Sequence, residues 1–205
     1  MRREVTTVAE LREIVGEPDP YVANKVKDRL SPVQCDWLAH SPLAFVATTD
    51  EQGRVDVSPK GDPPGFAHVI DDRTIAIPDR TGNKRVDGYL NLLQRPQVGT
   101  LFAIPGRGDT LRINGRARIL ADADYFDTMI VQGKRPLLVM EIDIEEVFFH
   151  CSKAFLRSDT WKPETWNPTA LPSVAKIAKA LLRTDWTEAQ LEERYSEENI
   201  RRSMY

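Results

Sequence analysis

Two adjacent cations, Lys84 and Arg85, stand just before a helix-forming stretch that ends at the QRP triplet of residues 94–96. Asn83 is a favourable N-cap residue, which predicts that Lys84, Arg85 and Val86 form the first helical turn. Val86, Leu90 and Leu93 then mark the predicted buried face of the helix. Cations in a first turn face the positive end of the helix dipole, so a bound anion would relieve an unfavourable arrangement. The first-turn N–H groups also lack intrahelical partners, and an arginine can hold two phosphate oxygens at once. The spacing indicates a phosphate-binding site, with solvated surface cations as the alternative.

A strand predicted over residues 109–120 carries further cations. Its alternation places four polar side chains on one face: Arg112, Asn114, Arg116 and Arg118. Cations that share a strand face repel one another unless carboxylates or a ligand neutralise them. Acidic side chains on a later strand, such as Glu141 and Asp143, could neutralise the last two arginines. Arg112 is the arginine that this pattern assigns to a ligand.

The end of another predicted strand, at residues 54–60, places Lys60 after Ser58 and Pro59. A lysine at a strand end beside a serine is suited to contact the polar edge of a ligand. Lys60 is therefore a predicted ligand contact.

The segment 150–166 follows the last predicted strand, so it starts at one end of the sheet. It mixes cations with aromatic rings: Lys153, Phe155, Arg157, Trp161, Lys162 and Trp166. This mixture suits a flap over a flat cofactor or an anionic substrate, with Lys153, Arg157 and Trp161 lining the pocket. The alternative is that the aromatic side chains attach the C-terminal helices to the sheet.

The bulk composition restricts the classes of function. The chain has 205 residues, of which 41% are hydrophobic, which is enough for one sizeable core. A net charge of −3 argues against nucleic acid or an anionic membrane surface as a general partner. Three histidines without ligand spacing argue against a metal site, and two distant cysteines indicate a reduced, cytoplasmic protein. No run of about 20 apolar residues is present, so we expect no membrane span.

The hydrophobic patterns predict a mainly β protein with flanking helices. Helices are predicted over 6–15, 22–30 and 31–40, and in the tail over 173–183 and 187–201. Between them, strands are predicted at 43–49, 54–60, 66–70, 73–78, 98–104, 109–120 and 137–149. The near-continuous apolar run at 43–49 predicts a strand buried on both faces. Hairpin connections and a single intervening helix favour an antiparallel barrel of about six strands. We expect one domain, with a core at 31–150, an N-terminal helical extension at 1–30 and a C-terminal tail at 151–205.

Four motifs, in this order, resemble the pyridoxamine 5′-phosphate oxidase-like family of FMN-binding split barrels. They are VDVSPKG at 55–61, TIAIPDRTGNKR at 74–85, QRP at 94–96 and TLRING at 110–115. The resemblance covers roughly residues 31–150. It implies an FMN-dependent oxidoreductase that acts on a small molecule. It also implies a homodimer that holds FMN in clefts between its subunits.

The resemblance assigns cofactor contacts residue by residue. The FMN phosphate would lie on Asn83, Lys84 and Arg85, and the flavin ring would lie against Ser58, Pro59, Lys60, Pro78, Asp79, Thr110 and Arg112. Oxidases of pyridoxamine phosphate also use an arginine and a histidine near the C-terminus, whereas no histidine follows His150 in this chain. The resemblance therefore leaves the substrate unassigned. Three alternatives stay open: a non-catalytic flavin-binding module, a deazaflavin-binding barrel and a haem-binding barrel.

Overall fold

The computed structural model describes residues 2–182 and 185–205. These residues form one antiparallel sheet of seven strands in the order β2-β1-β5-β6-β7-β4-β3. The strands are β1 (Leu43–Thr49), β2 (Val55–Gly61), β3 (His68–Asp71), β4 (Thr74–Pro78), β5 (Gln97–Ala103), β6 (Thr110–Leu120) and β7 (Val139–His150). Within the described residues the end strands β2 and β3 do not pair, so the barrel is split. The predicted fold class is confirmed, with seven strands instead of about six.

Eight α-helices flank the sheet within the same residues. They are α1 (Val8–Val15), α2 (Pro20–Ala23), α3 (Pro32–His40), α4 (Asp87–Gln94), α5 (Lys153–Arg157), α6 (Val174–Leu181), α7 (Glu188–Arg194) and α8 (Glu197–Arg202). The start of α3 follows the sequence prediction, because Ser31 and Gln34 form a reciprocal capping box and Pro32 occupies the first helical position. No helix in the described ranges is both long and apolar enough to cross a membrane.

The helix predicted over 22–30 is wrong. Only one turn forms there, at Pro20–Ala23, and the chain then leaves the helical path. The reason is tertiary: the N–H and C=O groups of Lys27 bond to Val147 of β7, at 3.1 and 2.7 Å. A backbone that donates to and accepts from a strand cannot also complete helical hydrogen bonds.

The tail helices differ from their predicted bounds. The stretch predicted at 187–201 divides into α7 and α8, because Ser196 caps the second helix by accepting from the N–H of Asn199. The stretch predicted at 173–183 forms α6, and its predicted last residue, 183, lies outside the described residues.

At β1, β2 and β5 the sheet has one buried face and one more open face, whereas at β4 both faces are covered, because Ala76 packs with Phe126 and Met129 in a second cluster. The main core lies on the buried face and includes Leu38, Phe102, Ile77, Leu111 and Val147, each fully buried. The prediction that β1 is buried on both faces is wrong: Ala44 and Val46 are buried, whereas Phe45 is 40% exposed. On the neighbouring strand, Val55 and Val57 are 63% and 62% exposed on the same open face.

Candidate functional site

The buried side of the sheet contains a cavity of about 510 Å³ where the end of β2, the loop after β4 and the start of α4 meet. Its walls include seven of the ten predicted cofactor residues: Ser58, Pro59, Lys60, Asp79, Asn83, Lys84 and Arg85. Apolar side chains of β1 and of the segment leading into β7, including Val46, Leu138 and Met140, complete the walls. We call this space the main cavity. The tertiary fold thus brings together residues that lie on two separate motifs of the sequence.

The loop at residues 83–86, which carries Lys84 and Arg85, has a conformation that the sequence did not predict. Helix α4 begins at Asp87, so Lys84 and Arg85 precede the helix and do not form its first turn. Asn83 does not cap the helix; its Oδ1 accepts a hydrogen bond from the backbone N–H of Arg85 at 3.0 Å and so closes a short turn. Lys84 and Val86 both adopt left-handed backbone angles, with φ of 62° and 50°.

The left-handed conformation of Val86 is costly, because a β-branched side chain crowds the backbone there. Such residues cost on the order of 1–3 kcal/mol and persist only where the surrounding structure imposes them. The strain lies between the two cations and the helix, at the edge of the main cavity. It indicates that the loop is shaped for a purpose other than helix stability.

Two ion pairs set the charge distribution of the main cavity. Arg85 Nε lies 2.8 Å from Asp87 Oδ2, which leaves the terminal guanidinium nitrogens for another partner. Lys60 Nζ lies 2.7 Å from Asp79 Oδ1, and both of these side chains are mostly buried. The Lys60 ammonium also lies 5.1 Å from the ring centroid of Tyr89. Lys60 is therefore held in a fixed position at the cavity wall.

The cavity residues that the sequence did not indicate include Tyr89 and Arg80. The hydroxyl of Tyr89 is buried and has no hydrogen-bond partner among the described residues, although the Asp79 carboxylate lies beside it. Burial, together with the neighbouring Asp79, raises the pKa of Tyr89 well above its usual value. Arg80 bonds through Nε to Asp62 and through its second terminal nitrogen to the carbonyl of Met129, while Nη1 is buried without a partner.

Tyr89 escaped prediction because the wrong face of the helix was predicted to be buried. The predicted face, Val86, Leu90 and Leu93, is 41%, 50% and 75% exposed. Tyr89 and Leu92, on another face of α4, are buried instead. For Arg80, the only signal was its position directly after Asp79 at the end of β4.

Three predicted cofactor residues lie outside the walls of the main cavity. Pro78 is the buried last residue of β4, directly before the wall residue Asp79. Thr110 and Arg112 begin β6, where they pair with His150 and Phe148 of β7. Arg118, farther along β6, pairs with Glu141 and with Asp143, as the carboxylate alternative predicted, whereas Arg116 forms no ion pair within the described residues.

Comparison with known proteins identifies the family. The sequence profile described as Pyridoxamine 5′-phosphate oxidase matches residues 31–151, which span the sheet and the main cavity. The protein belongs to the pyridoxamine 5′-phosphate oxidase family. No curated protein matches the chain in sequence.

Solved structures similar to this family member include HupZ of Group A Streptococcus. It is 23% identical, with 58% of this chain and 93% of that chain covered and a TM-score of 0.47. Another is a putative pyridoxamine 5′-phosphate oxidase from Lactobacillus delbrueckii, 24% identical, with 60% and 95% of the two chains covered and a TM-score of 0.46.

Beyond the part that matches the family, residues 153–161 pack on the hairpin between β5 and β6. Trp161 Nε1 donates to the carbonyl of Arg107 at 2.6 Å, and its ring stacks on Phe155 with centroids 5.7 Å apart. The Arg107 guanidinium lies 4.8 Å from the ring centroid of Trp37 in α3. Lys153, Arg157 and Trp161, the predicted flap residues, are not among the wall residues of the main cavity of their own chain. These contacts attach the segment to the sheet, while its role as a flap stays a prediction.

Proposed function

We propose that this protein is an FMN-dependent oxidoreductase acting on a small-molecule substrate, and that the main cavity holds the cofactor. The observation that carries the proposal is the convergence of Lys60, Lys84 and Arg85 on a cavity that also has apolar walls. FMN combines a phosphate with a flat, largely apolar ring system, and the wall of the cavity contains both cationic and apolar side chains. When bound, FMN would supply the redox chemistry, and the protein would supply binding, orientation and electrostatics.

The unpaired polar atoms support this fit. A buried hydroxyl or guanidinium nitrogen without a partner costs free energy, and such groups in native proteins are usually completed by a ligand or by water. Tyr89 and Arg80 carry two such groups on the wall of the main cavity. We assign Lys84, Arg85 and Arg80 to the phosphate. We assign Lys60 and Tyr89 to the polar edge of the flavin.

We further propose that the protein is a homodimer with FMN at the subunit interface. Phe45, Val55 and Val57 leave an apolar strip on the open face of the sheet, at its β2 edge. The strand register places Arg112 on the same face, because Phe45 pairs with Leu101 and Leu101 pairs with Arg112. A second copy seated there would cover the apolar strip. It would also bring Thr110 and Arg112 of one subunit toward the cofactor of the other.

The test is the visible absorption spectrum of freshly purified protein, followed by sedimentation with and without added FMN. We expect flavin bands, or their appearance on reconstitution, from a dimer. Deazaflavin or haem bands would favour one of the alternative cofactors. A colourless protein that does not bind added FMN would contradict the proposal, and a monomer that binds FMN tightly would contradict the shared site.

A further inference from the structure

The N-terminal segment packs very little on the rest of its own chain. Apart from the half-buried Glu10, every residue from 2 to 24 is exposed within the described part of the chain. We call residues 2–24 the N-terminal arm. The arm nevertheless contains α1, whose first turn is capped by Thr7, with Oγ1 accepting from the N–H of Glu10 at 3.2 Å. An isolated helix of eight residues is marginal in water, so we expect packing against another surface to stabilise α1.

Helix α1 has an apolar stripe that its own chain leaves uncovered. The spacing i, i+3, i+7 places Val8, Leu11 and Val15 on one side of the helix, and all three side chains are exposed. No residue of α1 is buried in the described structure. A stripe of this kind normally packs a surface helix on a core, so α1 has the pattern of a packed helix without the packing.

Helix α6 has a second exposed stripe with the same spacing. Its small residues, Ala175 and Ala178, are buried in a cluster with Leu191 of α7. Its larger apolar side chains are exposed instead: Val174, Ile177 and Leu181. A helix that packed only within its own chain would bury the large side chains first, because they remove more apolar surface from water. The outer side of α6 is therefore suited to a partner helix.

The charges beside the two stripes are complementary. Helix α1 has two glutamates and one arginine, whereas α6 has Lys176, Lys179 and no acidic residue. Glu10 and Lys176 each have an ion-pair partner in their own chain, at 3.5 and 3.6 Å, but these are long contacts at the protein surface and contribute little. Both helices are eight residues long. Equal length, equal spacing and opposite charge suit the two helices to pack on each other.

The arm leaves its chain on the side of the sheet where the proposed homodimer has its second copy. Lys25 follows the arm, and its Nζ atom donates to the carbonyl of Phe149 at 2.8 Å and lies 4.7 Å from the ring centroid of Phe148. Phe148 pairs with Arg112, and the strand register places this pair on the same side of the sheet as Phe45. The arm therefore starts at the proposed subunit boundary.

We propose that α1 of one copy of the chain packs against α6 of a second copy. Each stripe covers the other, and the two-fold symmetry of a homodimer repeats the contact. The inference rests on the proposed homodimer and adds to it a contact outside the FMN site, since none of the stripe residues lies in the wall of the main cavity.

Cross-linking between two distinguishable preparations tests the contact. Cys35 and Cys151, the two cysteines of the chain, are first replaced by serine. One preparation then carries Leu11→Cys, and the other, which differs in mass, carries Ile177→Cys. Both positions are central in their stripes, so they face each other whether the helices run parallel or antiparallel. After subunit exchange, a short bismaleimide should join the two preparations.

The matched control is Glu13→Cys in place of Leu11→Cys. Glu13 lies two residues along α1, on the opposite side of the helix, and it should give no product with Ile177→Cys. Leu11→Ala should also weaken the dimer about a hundredfold in sedimentation over a dilution series, because each buried leucine contributes roughly tenfold and the contact occurs twice. Glu13→Ala should leave the dissociation constant nearly unchanged. Since both side chains are outside the core of their own chain, each variant should keep the wild-type circular dichroism spectrum.

The outcomes separate this contact from the proposed function. A wild-type dimer without the Leu11–Ile177 cross-link, or with an equal yield from Glu13→Cys, would overturn the contact and leave the homodimer intact. A link that forms only within a single chain carrying both cysteines would overturn it in the same way. A monomeric wild type would overturn the contact together with the homodimer, while FMN binding is read separately from the absorption spectrum.

Discussion

Replacing Lys84 and Arg85 together with alanine should remove most of the affinity for FMN. Both cations line the main cavity, and Arg85 keeps its terminal nitrogens available because only Nε is bound to Asp87. Charge-assisted hydrogen bonds contribute roughly 1.5–3 kcal/mol each. Two of them amount to about 3–6 kcal/mol, which corresponds to a loss of at least about a hundredfold in affinity.

The two single variants should differ in size. Asp87 also lies in the cavity wall, and Arg85 neutralises it at 2.8 Å. Arg85→Ala therefore removes a phosphate donor and also exposes a carboxylate to the phosphate, whereas Lys84→Ala removes a donor only. We expect the loss in Arg85→Ala to be the larger, and Asp87→Asn in the Arg85→Ala background to recover part of it.

Quenching of flavin fluorescence, measured with FMN and with riboflavin, is the assay. Riboflavin lacks the phosphate, so its affinity should be almost unchanged in the double variant. The control is Lys134→Ala with Arg135→Ala, a second adjacent Lys-Arg pair that lies outside the cavity wall and carries the same charge. Wild-type affinity for FMN in the Lys84/Arg85 double variant, or an equal loss with riboflavin, would refute the phosphate assignment.

Three further substitutions have expected outcomes. Val86→Gly should relieve the left-handed backbone strain at φ 50° and stabilise the protein by about 1 kcal/mol. The Tm should then rise by about 2–4 °C, and a fall in Tm would show that Val86 is not strained. Tyr205→Phe removes a hydrogen bond to the buried Asp62 and should cost about 1.5 kcal/mol at neutral pH. The same bond, and burial, raise the pKa of Tyr205 above 10.0, so its contribution is complete below that pH and is lost as the pH rises beyond it. Denaturant titrations should therefore converge for wild type and Tyr205→Phe in strong alkali, and a constant gap would disprove this linkage. Trp161→Ala removes the hydrogen bond to Arg107 and should lower the free energy of unfolding by about 2 kcal/mol, with the flavin spectrum unchanged. A shifted flavin spectrum with full stability would instead support the flap.

Local signals in the sequence were sufficient for much of the fold. The start of α3 was predictable because Ser31 and Gln34 interact within one turn, through groups three residues apart. The strands were predictable because alternating side chains report their own two faces. The order of the motifs from Val55 to Gly115 likewise predicted the family, since a family signature lies in the chain itself.

Elsewhere, contacts with distant residues overrode the structure that the local sequence favours. Residues 25–30 could not form a helix once Lys27 bonded to Val147, more than a hundred positions away. Helix α4 starts at Asp87, while Asn83 closes a turn of its own, and Tyr89 is buried at the cavity. The residues of a helix keep their relative positions wherever it starts, so the packing of α4 on the sheet determined which of its faces reaches the site.

The sequence by itself determined which residues could bind a phosphate or a flavin ring, and the fold decided which of those residues lie together in one cavity. Lys84 and Arg85 were predicted to bind an anion from their type and position, and the fold places both in the wall of the main cavity, although α4 starts only at Asp87. The unpaired groups of Arg80 and Tyr89 were not recognisable, because an unsatisfied donor exists only after every other partner has been placed. Arg112 and His150 are likewise distant in the chain, and only the pairing of β6 with β7 brings them to the same end of the sheet.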